Sequence, residues 1–226
     1  MYTSKIKFTA ISIGWSMGGV IDMYIKASAG SKISIAWGDG RVISHSFHNE
    51  HEMDFRHDYF PKLNKYPPWG IKFDVTIRGN SPDCRIIGFK LSGEADAIDL
   101  DVTNCPELEE LYYEGYVGGD ERRLDLSCNT ALKKLYCPGN KLTNLDLSSN
   151  TALEYLYCRE NCMTHLNLQK NIAMKKLHCQ FNEMEKIFIY YAPQLREAEY
   201  EEGNNIDDDT RSRIQEILEE NNIENE

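Results

Sequence analysis

The stretch LDLSCNTALKKLYCPGNKLTN (Leu124–Asn144) is followed without a gap by LDLSSNTALEYLYCRENCMTH (Leu145–His165) and LNLQKNIAMKKLHCQFNEMEK (Leu166–Lys186). These three blocks of 21 residues carry apolar side chains at the same offsets. A single block of this size cannot bury its own apolar face, so the blocks must stack on one another and share one core. The repeat therefore predicts a solenoid.

Each block contains a short segment in which inward and outward residues alternate. Leu135 and Cys137 alternate with Lys134 and Tyr136, which is the period of a β-strand. Stacked blocks would pair these strands as a parallel sheet. The frame L-x-x-L-x-C-x-x-N extends to about six turns, which start at residues 84, 108, 132, 153, 174 and 195. This frame resembles the leucine-rich repeat.

The cysteines of the frame occupy one inward position in successive turns: Cys137, Cys158 and Cys179. We expect them to be buried, reduced and free of metal. The total of seven cysteines is odd, which excludes complete intrachain pairing. A zinc site is the alternative, because stacked strands bring neighbouring sulfurs to about 5 Å. However, three sulfurs in a row do not converge, and no fourth ligand shares their spacing.

The first eighty residues lack the repeat. Segments such as KIKFTAISI and KISIAWGDG alternate apolar and polar residues between turns, which predicts an antiparallel β-sandwich. At the other end, acidic residues precede an apolar stripe at helical spacing, which predicts a capping helix over 208–221. We therefore predict a mainly β chain with three parts: a sandwich at 1–80, a solenoid at 81–206 and a helix with its tail at 207–226.

The hairpin motif WGDG at Trp37–Gly40 is followed by HDYF at His57–Phe60 and by FDVTIRG at Phe73–Gly79. This series resembles the PKD-type immunoglobulin-like domain, although Phe73 stands where that family carries tyrosine. Combined with the repeats, the chain resembles gut-bacterial leucine-rich-repeat surface proteins, which are internalin-like in kind. The resemblance implies a cell-surface protein for adhesion or recognition.

Charge is distributed unevenly along the chain. The net charge is −11 overall, and residues 81–226 hold 15 basic and 29 acidic residues, a net of −14. Phosphate binding needs a basic face, so nucleic acid is not an expected partner. We predict no transmembrane segment, because no run of about 18 apolar residues occurs. We expect a monomer, located at the cell surface or secreted if an export signal was removed upstream of Tyr2, and otherwise cytoplasmic.

The segment HSFHNEHEMDFRH is the most metal-like in the sequence. Its candidate ligands are His45, His48 and His51, since histidine is a common transition-metal ligand. The alternative is a polar loop of the sandwich. Asp39 of the hairpin is a candidate calcium ligand, but a role in forming the turn is favoured. We find no nucleophile beside a base and no phosphate-binding loop, so we predict neither catalysis nor a cofactor.

The outward positions of the predicted parallel sheet form an aromatic stripe flanked by charges. We predict that this concave face binds a protein or a glycan. The candidate residues are Tyr112, Tyr136, Tyr155, Tyr157, His178, Lys134, Arg159 and Lys176. The alternatives are a metal-binding protein that uses the His45–His57 segment and a passive surface spacer.

Overall fold

The computed structural model describes residues 4–12, 20–49, 51–58, 71–81, 83–93, 96–115 and 122–223. The chain divides into two compact units, Met1–Tyr113 and Glu114–Glu226. It is mainly β, with a β-solenoid of about five turns and a C-terminal helix. The repeat frame predicts about six turns, one more than the structure contains.

The described strands of the first unit follow the alternating apolar segments of the sequence. They are β1 (Lys5–Ser12), β2 (Val20–Ala27), β3 (Lys32–Ala36), β4 (Val42–Ser46), β5 (His51–Asp58), β6 (Ile71–Gly79), β7 (Ile86–Gly93), β8 (Asp96–Asp101) and β9 (Glu110–Tyr113). Five of them pair antiparallel in the order β4-β3-β6-β1-β8. β2 pairs antiparallel with both β5 and β7. The ring centroids of Phe8 on β1 and Phe89 on β7, both buried, lie 6.3 Å apart.

β7 accounts for the missing turn, because it has two different kinds of neighbour. It pairs antiparallel with β2, where Lys90 is opposite Tyr24, and parallel with β9, where Lys90 is opposite Tyr112. The repeat frame starts its first turn at Cys84, in this region. A strand of eight residues with an antiparallel neighbour does not have the geometry of a repeat turn, whose strands have three or four residues.

The second unit contains the repeats and the helix. Its elements are β10 (Lys134–Tyr136), β11 (Tyr155–Tyr157), β12 (His165–Asn167), β13 (Lys176–His178), β14 (Lys186–Phe188), β15 (Glu197–Glu199) and α1 (Asp208–Ile223). β10, β11, β13 and β15 pair parallel in that order, and β12 pairs parallel with β14. Each residue lies opposite the residue 21 positions later, as Leu135 does with Leu156. This register confirms the repeat.

A buried asparagine ladder joins successive turns. The side-chain nitrogen of Asn161 donates to the carbonyl oxygens of Cys137 and Cys158, both at 2.9 Å. Its side-chain oxygen accepts from the backbone N–H groups of Asn140 and Leu142, both at 3.0 Å. One side chain thus satisfies backbone groups of two turns that would otherwise be buried without partners. Side chains of the later turns make related bonds: Asn182 and Asn204.

The C-terminal helix closes the last turn, as the sequence predicts. Asp207 caps its first turn by accepting the backbone N–H of Thr210 at 2.8 Å. Asn221 donates to the carbonyl oxygens of Ala192 and Leu195, at 2.9 and 2.8 Å. The helix thereby satisfies carbonyl groups at the end of the solenoid. Among the described residues, no helix combines the length and apolar character needed to cross a membrane.

Leu135, Leu156 and Leu177 form a column in the core of the solenoid, and each is fully buried. We predict that Leu156→Ala lowers the free energy of unfolding by about 2–5 kcal/mol, because it leaves a cavity between two turns. Tyr136→Ala should cost about 1 kcal/mol, since it removes a half-buried ring from a stack. Urea denaturation followed by circular dichroism measures both. If both substitutions lowered the free energy of unfolding by the same amount, the inward position of Leu156 and the outward position of Tyr136 would be contradicted.

The cysteine column lies beside these leucines. Cys137, Cys158 and Cys179 are fully buried, as predicted, and each carries a free thiol in this structure. Burial raises the pKa of Cys137 and Cys179 to about 12 and the pKa of Cys158 well above its usual value. Cys128, by contrast, is exposed. The column consists of protonated thiols that serve as small apolar side chains.

We predict that a disulfide reagent labels Cys128 rapidly and the three buried thiols only on unfolding, because the thiolate is the reactive form and burial suppresses it. Mass spectrometry of the native protein after timed labelling identifies the modified sites. Labelling in urea is the control for intrinsic reactivity. Rapid native labelling of Cys158 would show that the core of the solenoid opens readily.

Candidate functional site

The outward residues of β10, β11 and β13 form an aromatic column, here called the tyrosine ladder: Tyr136, Tyr157 and His178. The register places these three side chains at equivalent positions on neighbouring strands. The rings of Tyr136 and Tyr157 are stacked, with centroids 4.2 Å apart and planes 7° apart. The rings of Tyr157 and His178 follow at 4.5 Å with a tilt of 44°. The ring spacing is close to the spacing of the strands themselves.

This stacking determines which part of each ring a ligand can reach. Tyr157 lies between Tyr136 and His178, so both of its ring faces are covered by neighbours. Burial, the Tyr136 ring and a hydrogen bond between the two phenols raise the pKa of Tyr157. The phenol is therefore neutral at physiological pH. The ladder presents ring edges and hydroxyl groups, which suit hydrogen bonding and edge contacts better than face-to-face stacking.

The cationic side chains beside the ladder have partners on the protein. Lys176 donates to Glu197 at 2.5 Å, and this bond raises the pKa of the lysine. Lys134 lies over the ring of Tyr155, at 6.0 Å from its centroid. Arg159 is more exposed and lies 3.5 Å from Glu160. The predicted site residues of the second unit thus lie on one sheet face, with their positive charges partly neutralised there.

His178 ends the ladder between two carboxylates. Its Nε2 lies 2.6 Å from Glu197, and its Nδ1 lies 3.2 Å from Glu199. Hydrogen bonds from Lys176 and His178 lower the pKa of Glu197. Glu197 and Glu199 are not among the residues that the sequence pattern predicts for this face. The sequence does contain a signal for the Lys176–Glu197 pair, because the two residues are 21 positions apart, which is one repeat, and carry opposite charges.

Tyr112 is the predicted site residue that belongs to the first unit, where it lies on β9. The amine of Lys90 lies between two rings, 5.9 Å from the centroid of Tyr112 and 4.8 Å from that of Tyr24. Next to these rings, Gly88 forms the floor of a groove of about 260 Å³. Lys26 and other charged residues line the groove, so a ligand there would have to be polar.

The predicted histidine loop consists mostly of strands. His45 lies on β4, where its ring contacts those of Phe47 and Phe55 at centroid distances of 5.0 and 5.7 Å. His48 is exposed after that strand, and the side chain of His51 lies outside the described residues. β4 and β5 pair with different strands, β3 and β2. Within the part of the chain that is described, this segment brings no three ligand atoms close enough to hold one ion.

The hairpin after β3 is organised around Asp39. Its carboxylate accepts the backbone N–H of Arg41 at 2.9 Å and the Arg41 Nε at 2.8 Å. It also lies 3.2 Å from His57, whose ring stacks on the buried Trp37 at 4.3 Å. Gly38 has a φ of 80°, and a Cβ there would lie 2.8 Å from the backbone of β6. These contacts favour the turn-forming role of Asp39 over calcium binding.

The ionisation of this hairpin is coupled to folding. Burial opposes the charge of Asp39, but hydrogen bonds from Arg41 and the positive charges of His57 and Arg41 outweigh it and hold the pKa of Asp39 well below its usual range. Burial, followed by the charge of Arg41, lowers the pKa of His57. The pKa values of both groups are lower in the folded state than in the unfolded state. The unfolded state therefore binds protons more readily, and the free energy of unfolding decreases on acidification.

We predict that the free energy of unfolding falls as pH drops below about 6.5, where unfolded histidine gains its proton, and falls further below about 4, where unfolded aspartate does. Asp39→Asn should destabilise the first unit at pH 7 and flatten the decline below pH 4. Urea denaturation at pH 7, 5, 4 and 3 measures this, with Asp54→Asn, an exposed carboxylate on β5, as the control. Parallel pH profiles for wild type and Asp39→Asn would contradict the coupling.

Comparison with known proteins gives limited similarity. No protein-family model and no curated protein matches the chain. Among solved structures, it is similar to the functional domain of InlJ from Listeria monocytogenes, which includes a cysteine ladder. The sequence identity is 24% and the TM-score is 0.36. The alignment covers 49% of this chain and 29% of the InlJ chain, so the matched region spans less than a third of that protein.

Proposed function

We propose that this chain is a non-enzymatic recognition module that binds a protein through the tyrosine ladder and its flanks. The observation that carries the proposal is the stack of Tyr136, Tyr157 and His178, whose rings are fixed by the register of a parallel sheet. Rings that are held in place lose little conformational entropy on binding, and tyrosine is enriched among residues that dominate protein interfaces.

The geometry favours a protein over a glycan. A sugar ring binds an aromatic side chain by lying on its face, yet both faces of Tyr157 are covered by neighbouring rings. Edges and hydroxyl groups remain, and these match the mixed polar and apolar surface of a protein. The flanks of the ladder are the charged residues Lys134, Arg159 and Lys176 together with Tyr155. They would form the polar rim of such an interface.

The first unit contributes to the proposal through its resemblance to surface proteins. We infer that residues 1–80 contribute most strands of a PKD-like sandwich, and that the leucine-rich-repeat solenoid, predicted from residue 81, begins after β8, which pairs with β1. The segment predicted as the cap, 207–226, follows the last turn. The packing of Trp37 on His57 behind the Asp39 hairpin supports this assignment. A chain of this kind would act as a monomer in an adhesion protein at the cell surface, if an export signal precedes Tyr2.

The test is to probe an array of extracellular proteins and a glycan array with the same labelled chain. We expect binding to proteins that is lost in Tyr136→Ala/Tyr157→Ala, with the dissociation constant of any hit rising about 30-fold or more, as for a pair of central interface residues. Tyr190→Ala/Tyr191→Ala is the matched control, since both tyrosines are exposed and lie away from the ladder strands. Circular dichroism confirms that each variant is folded.

Each other outcome selects a different function. Glycan binding that depends on Tyr157 would replace the protein partner with a carbohydrate. Protein binding that survives in the folded double variant would move the site away from the ladder. A chain that binds nothing on either array would be the passive spacer.

A further inference from the structure

The end of the tyrosine ladder combines three metal-ligating side chains from two neighbouring strands. His178 lies on β13, and Glu197 and Glu199 lie on the adjacent β15. Their ligand atoms, one from each residue, all lie within 4.8 Å of one another. The imidazole is 16% exposed, whereas the two carboxylates are 39% and 52% exposed. The group is therefore held by the sheet on one side and accessible to solvent on the other.

Both ring nitrogens of His178 face carboxylate oxygens. A neutral imidazole has one N–H and one lone pair, so it can donate to only one carboxylate. Here Nε2 lies 2.6 Å from Glu197 and Nδ1 lies 3.2 Å from Glu199. A metal ion that takes one of the nitrogens together with the carboxylates leaves the other nitrogen free to donate its N–H to a carboxylate oxygen.

A neighbouring side chain offers one more oxygen. Gln180 donates its amide nitrogen to Glu199. Its amide oxygen is buried and has no hydrogen-bond partner. An unsatisfied buried oxygen is costly unless something occupies the space next to it. Rotation of the Gln180 amide by 180° would turn this oxygen toward Glu199, where it would serve as a further ligand of a cation bound there.

We propose that His178, Glu197 and Glu199 form a site for a divalent transition-metal ion of the zinc class. One imidazole and two carboxylates are the donor set that zinc, nickel and cobalt accept, and the two carboxylates balance the charge of the ion. Ligand atoms bound at about 2.1 Å to a tetrahedral ion lie about 3.4 Å apart. The ligand atoms here lie within 4.8 Å of one another, so the most widely spaced pair must approach by up to about 1.4 Å, which rotation of the exposed glutamates allows. Water would complete the coordination.

Lys176 distinguishes the metal site from a plain salt-bridge network. Its amine lies 2.5 Å from the second carboxylate oxygen of Glu197 and competes with a metal ion for that carboxylate. Removal of the amine should therefore strengthen metal binding. If the group is only a salt-bridge network, both the wild type and Lys176→Ala show no saturable zinc binding.

The experiment is a calorimetric titration of the full chain with zinc chloride at pH 7, in a Cys128→Ser/Cys162→Ser background that removes the two cysteines that are not buried. We expect one saturable site, weakened at least tenfold by His178→Ala and by Glu197→Gln/Glu199→Gln. Lys176→Ala should bind severalfold more tightly. His165→Ala is the matched control, because His165 is an exposed histidine of the same solenoid on β12, and it should leave the affinity unchanged.

Two results would overturn the site: no saturable binding in the wild type, or equal affinity in the His178→Ala and His165→Ala variants. Glu199→Gln covers the case in which His178→Ala fails to fold, because Glu199 is half exposed and its loss should leave thermal stability unchanged. The titration needs no partner protein, so its failure would leave the proposed recognition function intact.

Discussion

The hydrogen bonds of the buried asparagine ladder are the constraint on which the solenoid depends. A corner of each turn has backbone N–H and C=O groups that face the core, where an unpaired group costs about 1–3 kcal/mol. Asn161 satisfies groups of its own turn and of the previous turn at the same time. A slip of one residue between turns would leave both sets unpaired. The asparagines therefore fix the register that the apolar columns alone would leave free to adjust.

That register has consequences on the outward face. Because each turn lies directly beside the next, residues 21 positions apart become neighbours at strand spacing. Tyr136 and Tyr157 become neighbours, and their rings stack; Lys176 lies opposite Glu197, and the two form an ion pair. The buried asparagine hydrogen bonds thus determine which polar and aromatic side chains are neighbours on the outward face of the sheet. A face built on a rigid sheet presents its side chains with little reorganisation, which is the property that a recognition surface needs.

The repeats could be predicted from sequence because a fixed period converts sequence offset directly into spatial neighbours. The leucine and cysteine columns, the parallel strands and the capping helix follow from that period. Two features did not. The frame puts Gly203 at the asparagine position, whereas Asn204 makes those bonds, because the last turn is one residue longer before its corner. The frame predicts a repeat turn that starts at Cys84, but the strand in this region is β7, which pairs antiparallel with β2 along one edge. Antiparallel pairing between strands that are distant in sequence produces no periodic pattern in the sequence.

The sequence predicted which candidate residues would be neighbours on the sheet, but it did not predict the contacts that their side chains make. Sequence offsets place the tyrosines in one column, but they do not say whether the rings stack on one another or stand open to a ligand. The same limit applies to charge: Lys176 could be read as a cation for an acidic partner, yet it is paired with Glu197. With this cation neutralised locally and a net charge of −14 over residues 81–226, the long-range field repels acidic molecules and attracts basic ones. If the chain is the recognition module proposed above, the expected partner is therefore neutral or basic and would contact ring edges and phenol hydroxyls.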